Sequence, residues 1–362
     1  MTGVVGSPLP MDSEKGKESM ETELYSIMDV NSPAAQAGLA LAGRILRAGG
    51  LVGFPTETVY GLGANALDPE AVSAIFTAKG RPGDNPLIVH VDDLDTARSL
   101  AWFTPLAEQL AERYWPGPLT LVLESRGLTP PVVSAGLTTL AIRFPAHPGA
   151  RAMIREAGVP VAAPSANLSG RPSPTLASHV YEDMQGRIPL ILDGGPVEIG
   201  LESTVVDARD SQPILLRPGR ITREELTAFA GGCGVAGTAE CQRPTAPGMK
   251  YRHYAPQGQL ILVDHWRAVE ALRQTMLAED PEPPLLLLST EAAQVLAQRG
   301  VPKSQMICLG GIDEPAAFAH ELFGALREAD RRGAKRIIGQ RIAEVGLGAA
   351  VMNRFNKAAG QK

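Results

Sequence analysis

The chain has 362 residues, 44% of them hydrophobic and 20% charged, with a formal net charge of −5. That length allows two domains with a core in each, and the acidic balance excludes a uniformly basic coat for nucleic acid. Three cysteines, Cys233, Cys241 and Cys308, are too few and too irregularly spaced for a disulfide framework or a zinc site, no apolar run reaches membrane-spanning length, and the N-terminus lacks the pattern of a signal peptide, so a soluble cytoplasmic protein with no membrane partner is expected.

Residues 1 to 30 mix Gly, Ser, Pro, Glu and Lys without periodicity and read as a flexible extension. From Pro33 to Ala48 the pattern predicts an amphipathic helix with Ala37, Leu41 and Ile45 along one face, closed by Gly49-Gly50. An apolar strand is expected from Leu51 to Tyr60. Gly61-x-Gly63-x-x-Ala66 imitates a dinucleotide fingerprint, but the next helix cap, Asp68, comes only after the match has ended, and no P-loop is present. Asp68 suits an N-cap, Pro69 the first helical position, and Val72, Ile75 and Phe76 an apolar face that must stop near Gly80.

The stretch Lys79-Gly80-Arg81-Pro82-Gly83-Asp84-Asn85-Pro86 then forbids regular structure. It is either a solvated turn with two surface cations or a stiffened, positive anion site. Leu87-Ile88-Val89 follows as a strand that delivers His90. Leu94 to Leu100 and Pro105 to Tyr114 read as helices, Trp115 as a core residue, and Leu119 to Leu123 as a strand. Thr138 to Pro145 is a strand carrying Arg143 among apolar neighbours. A buried arginine needs an anionic partner, either a nearby Asp or Glu or a small carboxylate ligand.

Val159 to Gly170 is a strand running into small polar residues, with Ser173 and Thr175 beyond. Ile188 to Leu192 is another, ending in Asp193-Gly194-Gly195. Glu202-Ser203-Thr204-Val205-Val206-Asp207 opens a strand with a hydroxyl pair, and Ile214-Leu215-Leu216-Arg217 ends one in a cation. Convergence of this kind assembles a site on a sheet. Residues 231 to 258 turn to Gly, Pro, Thr and Ala, yet include the aromatic, cationic Met249-Lys250-Tyr251-Arg252-His253-Tyr254. Beyond, Leu260 to Val263, Leu285 to Leu288, Met306 to Leu309 and Arg336 to Ile338 alternate with helical stretches, predicting parallel strands with crossover helices. Gly310-Gly311, before a helix near Asp313, is a candidate anion site.

The first domain thus offers cations (Lys79, Arg81, Arg143, Arg217), hydroxyls (Thr56, Thr58, Thr139, Ser165, Ser173, Ser203) and amides (Asn85, Asn167). It shows no cysteine nucleophile, no Ser-His-Asp order and no metal cage. Such a set suits polyanion binding, with rate gained from positioning and charge stabilisation; nucleotidyl transfer with Mg²⁺ held mainly by the phosphates fits it.

Phe54-Pro55-Thr56-Glu57-Thr58-Val59-Tyr60-Gly61-Leu62, Lys79-x-Arg81-Pro82, Asn85-Pro86-Leu87, Ala163-Pro164-Ser165-Ala166-Asn167, Glu202 to Asp207 and Arg217-Pro218-Gly219, in this order, resemble the YrdC/Sua5 family of threonylcarbamoyl-AMP synthases. The resemblance implies an α/β fold. Residues 31–232 would form a YrdC-like twisted open mixed sheet with helices around a concave cationic cavity. Residues 233–258 would be a linker folding over the active site, bringing His253 and Tyr254 to the nucleotide, and residues 259–358 a smaller Rossmann-like C-terminal domain.

It also implies a reaction in which threonine and bicarbonate form a carbamate whose oxygen attacks the α-phosphorus of ATP. The products would be pyrophosphate and threonylcarbamoyl-AMP, the donor that downstream transferase proteins use to make N6-threonylcarbamoyladenosine in tRNA. Carried over by position, Thr58, His90, Arg143, Ala163 and Ser203 would hold threonine. Arg81, Asn85, Thr139, Ser165, Ser173, Arg217 and Tyr254 would hold ATP, and Lys79 and Arg81 are the candidate catalytic cations. The rival expectation is an RNA-binding module without ATP turnover, against which stand the net charge and an aromatic content of 5%.

Overall fold

A computed structural model describes residues 20–236 and 253–361. The linker residues Cys241, Lys250, Tyr251 and Arg252, and most of the expected N-terminal extension, lie outside the described residues. Among those described, twelve strands build one mixed sheet. Its neighbours run Glu23–Ser26, Leu190–Asp193, Val52–Phe54, Gly61–Asn65, Val161–Ala163, Ile88–His90, Thr139–Arg143, Leu119–Ser125, Thr204–Asp207, Ile214–Arg217 and Gly234–Val235, while Ala101–Trp102 pairs with Leu119–Ser125. A second sheet is all parallel, in the order Gln259–Val263, Arg336–Gln340, Leu285–Leu288, Met306–Cys308, as the alternating pattern predicts. No helix among the described residues is long and apolar enough to cross a membrane.

Local chemistry explains much of the placement. Asp68 accepts from the backbone N–H groups of Glu70 and Ala71, Pro69 opens the helix Pro69–Lys79, and Gly80 closes it at φ 60°, a left-handed conformation that favours glycine. Val72 and Ile75 are buried on its inner face, and Phe76 packs half-buried beside them. Leu94–Leu100 and Pro105–Tyr114 are helices as expected, and Trp115 packs against the core.

Several expectations are corrected. Residues 23–26 are not extension but an edge strand, parallel to Leu190–Asp193, and Ile27 after it is buried. Its partner lies far along the chain and its own residues are largely exposed, so no local pattern marks it. The helix Pro33–Arg47 buries Ala35, Leu39, Ala42 and Leu46 and leaves Ala37 exposed. The choice of face follows from close approach: a Cβ on Gly43 would lie 2.6 Å from the Glu156 carbonyl oxygen, so this side meets the neighbouring helix Pro148–Ala157.

The expected strand Leu51–Tyr60 covers only Val52–Phe54. After Pro55 the Thr56 hydroxyl organises a turn, donating to the Val59 carbonyl at 2.6 Å and accepting from the N–H groups of Thr58 and Val59. Gly61 and Gly63 belong to the next strand. A Cβ at Gly61 would meet the Phe54 ring at 2.9 Å, so the glycine pair serves close packing within a strand and does not open a helix. The backbone N–H groups of Gly311 and Ile312 are already taken by the carboxylates of Glu314 and Glu291, which removes the anion site expected at Gly310-Gly311.

The apolar core lies on both faces of the large sheet, in separate clusters. A further cluster joins the two halves of the molecule: Val59, Leu201 and Tyr254 pack with Leu322, Phe323, Leu326 and Phe355 of the C-terminal half.

Candidate active site

Strand register gathers the chemistry. His90 pairs with Arg143, Arg143 with Thr120, Thr120 with Val205, and Val205 with Arg217, so one row across five strands holds three candidate residues. Directly opposed residues share a face of the sheet. Above this face lies an open cleft whose wall includes Lys79, Arg81, His90, Arg143, Ala163, Ser165, Ser203, Arg217, His253 and Tyr254. The cationic loop, the sheet row and the far end of the linker therefore meet in one place.

Arg143 is buried and faces three partners. Its Nη1 donates to the Thr58 hydroxyl at 2.9 Å and its Nε to the Gly117 carbonyl at 3.2 Å. Nη2 lies 2.7 Å from Glu57 Oε1, a buried ion pair whose angle is too poor for a hydrogen bond. The first alternative for this arginine, a protein carboxylate, is therefore met by Glu57, and Arg143 also lines the cleft wall. His90 is buried beside it, edge-on to Phe54, with no partner for Nδ1. Burial, with Arg143 adding to it, pushes the His90 pKa down to about 3, so the ring is neutral at pH 7.

Lys79 does not project from the loop into solvent. It ends the helix Pro69–Lys79, is 2% exposed, and its Nζ donates to the main-chain carbonyls of Ser165 and Asn167. Burial, then the charge of Arg81, lowers its pKa well below that of an ordinary lysine. Arg81 is half-buried, and its Nη2 reaches the carbonyls of Asn85 and Pro86 at 3.4 Å. The Ser165 hydroxyl donates to Asn167 Oδ1 at 2.5 Å, completing a knot between the loop and the strand end.

On the other side, Arg217 donates twice to the Ser203 carbonyl, at 3.0 and 2.9 Å, and once to the Ser203 hydroxyl at 3.0 Å, which in turn meets the Thr120 hydroxyl at 2.7 Å. Burial lowers the Arg217 pKa to about 10, with Arg354 reinforcing the shift, but the guanidinium stays charged at pH 7. Tyr254, at φ 65°, stacks on Phe323 with ring centroids 5.0 Å apart, and burial beside Glu202 pushes its phenol up to about 12.

Four candidates stand outside the wall. Thr58 lies behind Arg143, and Ser173 lies behind Glu202, to which its hydroxyl donates at 2.6 Å. Asn85 is buried under the cationic loop with Oδ1 unpartnered. Thr139 opens the strand that Arg143 ends, at its opposite end, and is half-buried against Glu124. Reasoning from sequence passes over Glu57, Glu202 and Arg354. The first two stand within the quoted hydroxyl motifs, each next to a candidate residue, which is signal enough; Arg354 ends the tail stretch Gly346 to Arg354, which resembles the end of a Sua5 C-terminal domain but carries nothing that ties it to the site.

The sequence matches two families in succession: the one described as "Telomere recombination" over residues 44–219, and the one described as "Threonylcarbamoyl-AMP synthase, C-terminal domain" over residues 221–360. The chain is similar to the threonylcarbamoyl-AMP synthase of Pyrococcus abyssi, at 44% identity over 93% of this chain and 98% of that protein. The Bacillus subtilis protein of the same name is 45% identical over 89% of this chain and 93% of its own. A crystal structure of P. abyssi Sua5 complexed with L-threonine superposes with a TM-score of 0.83 at 41% identity, covering 94% of this chain and 97% of that one. With both matches spanning the two halves of the molecule, this chain belongs to the threonylcarbamoyl-AMP synthase family, in its two-domain Sua5 form.

Proposed function

We propose that this enzyme is an L-threonylcarbamoyladenylate synthase that forms threonylcarbamoyl-AMP and pyrophosphate from L-threonine, bicarbonate and ATP. Its product would be the donor for threonylcarbamoylation of tRNA. The carrying observation is the cleft itself, where Lys79, Arg81, Arg143 and Arg217 arrive from separate elements onto one wall with the hydroxyls of Ser165 and Ser203. Names of relatives at high identity and coverage support the same activity, and the enzyme uses ATP.

In this reading the threonine carboxylate sits against Arg143 and the Ser203 hydroxyl, with neutral His90 and the Ala163 backbone beside it. The threonine amine bonds to the carbon of bicarbonate with loss of water. An oxygen of the resulting carbamate bonds to the α-phosphorus of ATP as the bond to the bridging oxygen breaks, and the electron pair leaves with pyrophosphate. Arg81 and Arg217 stabilise the charge gathering on the departing phosphates, and the Ser165 hydroxyl, with Tyr254 closing the cleft, helps orient the nucleotide. Thr58 and Ser173 act one layer back, aligning Arg143 and Glu202.

Mg²⁺ fits this donor set as an ion carried by the nucleotide. Glu202, the carboxylate of the wall, is already engaged by Ser173 and Arg354, so phosphate and water oxygens would supply the ligands. The ion would neutralise part of the pyrophosphate charge. A cytoplasmic location completes the reading, supported by two free thiols, buried Cys233 and exposed Cys308.

The test is pyrophosphate release from ATP by the purified protein with Mg²⁺ and bicarbonate, with and without L-threonine and with L-serine as control. Release that requires both threonine and bicarbonate is expected. Release indifferent to threonine, or none from folded protein that binds ATP, would overturn the assignment.

A further inference from the structure

A side chain of the C-terminal half enters the wall of the cleft from behind. Arg354 lies on the helix Leu347–Ala358 and is fully buried. Its Nε donates to Glu202 Oε2 at 3.0 Å, and its Nη1 to the Pro218 carbonyl at 2.5 Å. Glu202 is itself buried, and its other oxygen accepts from the Ser173 hydroxyl at 2.6 Å. Pro218 directly follows Arg217, and Ser203 directly follows Glu202. One guanidinium therefore ties together two segments, Glu202-Ser203 and Arg217-Pro218, and through Glu202 reaches Ser173.

Electrostatics gives the contact a purpose beyond docking. Glu202 is a carboxylate in the wall of a cleft otherwise rich in cations. Burial opposes its charge, but Arg354 and then Arg217 outweigh that and hold its pKa down at about 2. Were Arg354 removed, the buried carboxylate would keep Arg217 as its main compensating cation. The two would be drawn together, and Arg217 would leave its bonds to Ser203. An uncompensated carboxylate would also repel phosphate.

We propose that Arg354 is a positioning residue for the nucleotide site: by neutralising Glu202 from the C-terminal domain, it keeps Arg217 on Ser203 and presented to the phosphates, and makes the second domain part of the active site. This rests on the reading of the cleft as an ATP and threonine site.

The experiment compares Mg²⁺-ATP binding by calorimetry in the full-length wild type, Arg354→Met, and Arg354→Met combined with Glu202→Gln. Arg354→Met is expected to bind ATP about tenfold more weakly, the scale of one lost charge-assisted contact. Adding Glu202→Gln should bring affinity back to within about threefold of wild type, because the uncompensated charge is gone while an acceptor for Ser173 remains. A merely structural role would lower the urea midpoint of Arg354→Met and leave its ATP affinity unchanged. Unchanged ATP affinity in folded Arg354→Met, or no recovery in the double variant, would overturn the proposal.

Should Arg354→Met fail to fold by circular dichroism, Arg354→Lys takes its place. It keeps the charge but cannot span Glu202 and the Pro218 carbonyl, so a loss of about threefold is expected and wild-type affinity would refute the role. Wild-type protein that binds ATP but releases no pyrophosphate would count against the proposed reaction alone, since the binding comparison still reads the role of Arg354.

Discussion

Arg143 Nη2 and Glu57 Oε1 stand 2.7 Å apart, both side chains buried, in contact but misaligned for a hydrogen bond. A guanidinium held this way is anchored by Thr58 and Gly117 while Nη2 keeps a donor position in hand. That is the geometry expected of a residue that receives a small carboxylate.

Replacing Arg143 by Ala should therefore weaken threonine far more than ATP. A loss of about 2 to 3 kcal/mol in threonine affinity is expected, with ATP affinity changed by less than about 0.5 kcal/mol. Calorimetric titration of each ligand reads the difference, and equal losses would sink the assignment. The same substitution strands Glu57, so the urea midpoint should fall as well, and Glu57→Gln in the Arg143→Ala chain should recover part of that loss.

Arg81 and Lys79 separate by role. Arg81→Ala should leave the thermal midpoint near that of wild type, because the side chain is only half-buried, while raising the KM for ATP by about tenfold. Lys79→Met should instead destabilise the protein by about 1 to 3 kcal/mol, since two main-chain carbonyls lose their donor. If Lys79→Met melts like wild type, the loop is not held by that lysine.

Stability should fall in acid, with His90 and Glu202 among the sources. The His90 pKa lies at about 3 in the folded protein against an ordinary 6.5. Between those values the unfolded chain binds a proton that the folded chain refuses, so stability rises with pH across this window and is level above it. Glu202, at about 2 against 4.5, contributes stability that is present above pH 4.5 and lost as the pH falls toward 2. Urea midpoints between pH 7 and pH 4 should decline, and His90→Gln should flatten the slope, by up to about 1.4 kcal/mol per pH unit. An unchanged slope in His90→Gln would show that the buried imidazole is not its source.

Gly61→Ala tests the packing account of the glycine pair. The added methyl would meet the Phe54 ring at 2.9 Å, costing about 1 to 3 kcal/mol in urea unfolding. A neutral substitution would mean that Phe54 can move aside.

Elements specified over short range are legible in the amino-acid sequence. Asp68, Pro69 and Gly80 specify the start and stop of one helix within a dozen residues, and the alternation beyond Leu260 specifies a parallel sheet, because caps and hydrophobic periodicity act locally. The edge strand Glu23–Ser26 is not legible, since its partner Leu190–Asp193 lies far along the chain. The same limit hides Thr139's distance from the cleft: a strand that is read as one unit has two ends, and only its neighbours say which end meets the site.

The sequence by itself determined the inventory of the site, its cations, hydroxyls and amides, and the order in which they occur, together with their resemblance to one family. Tertiary structure alone decided their meeting. The row from His90 through Arg143 and Thr120 to Arg217 exists because five strands pair in one register, and a slip of one residue in any of them would turn its side chain to the other face. Arg354 reaches Glu202 across 152 positions of chain. No local pattern encodes such a pair; it forms because burying the apolar faces of both domains brings two opposite charges out of water together, where each needs the other.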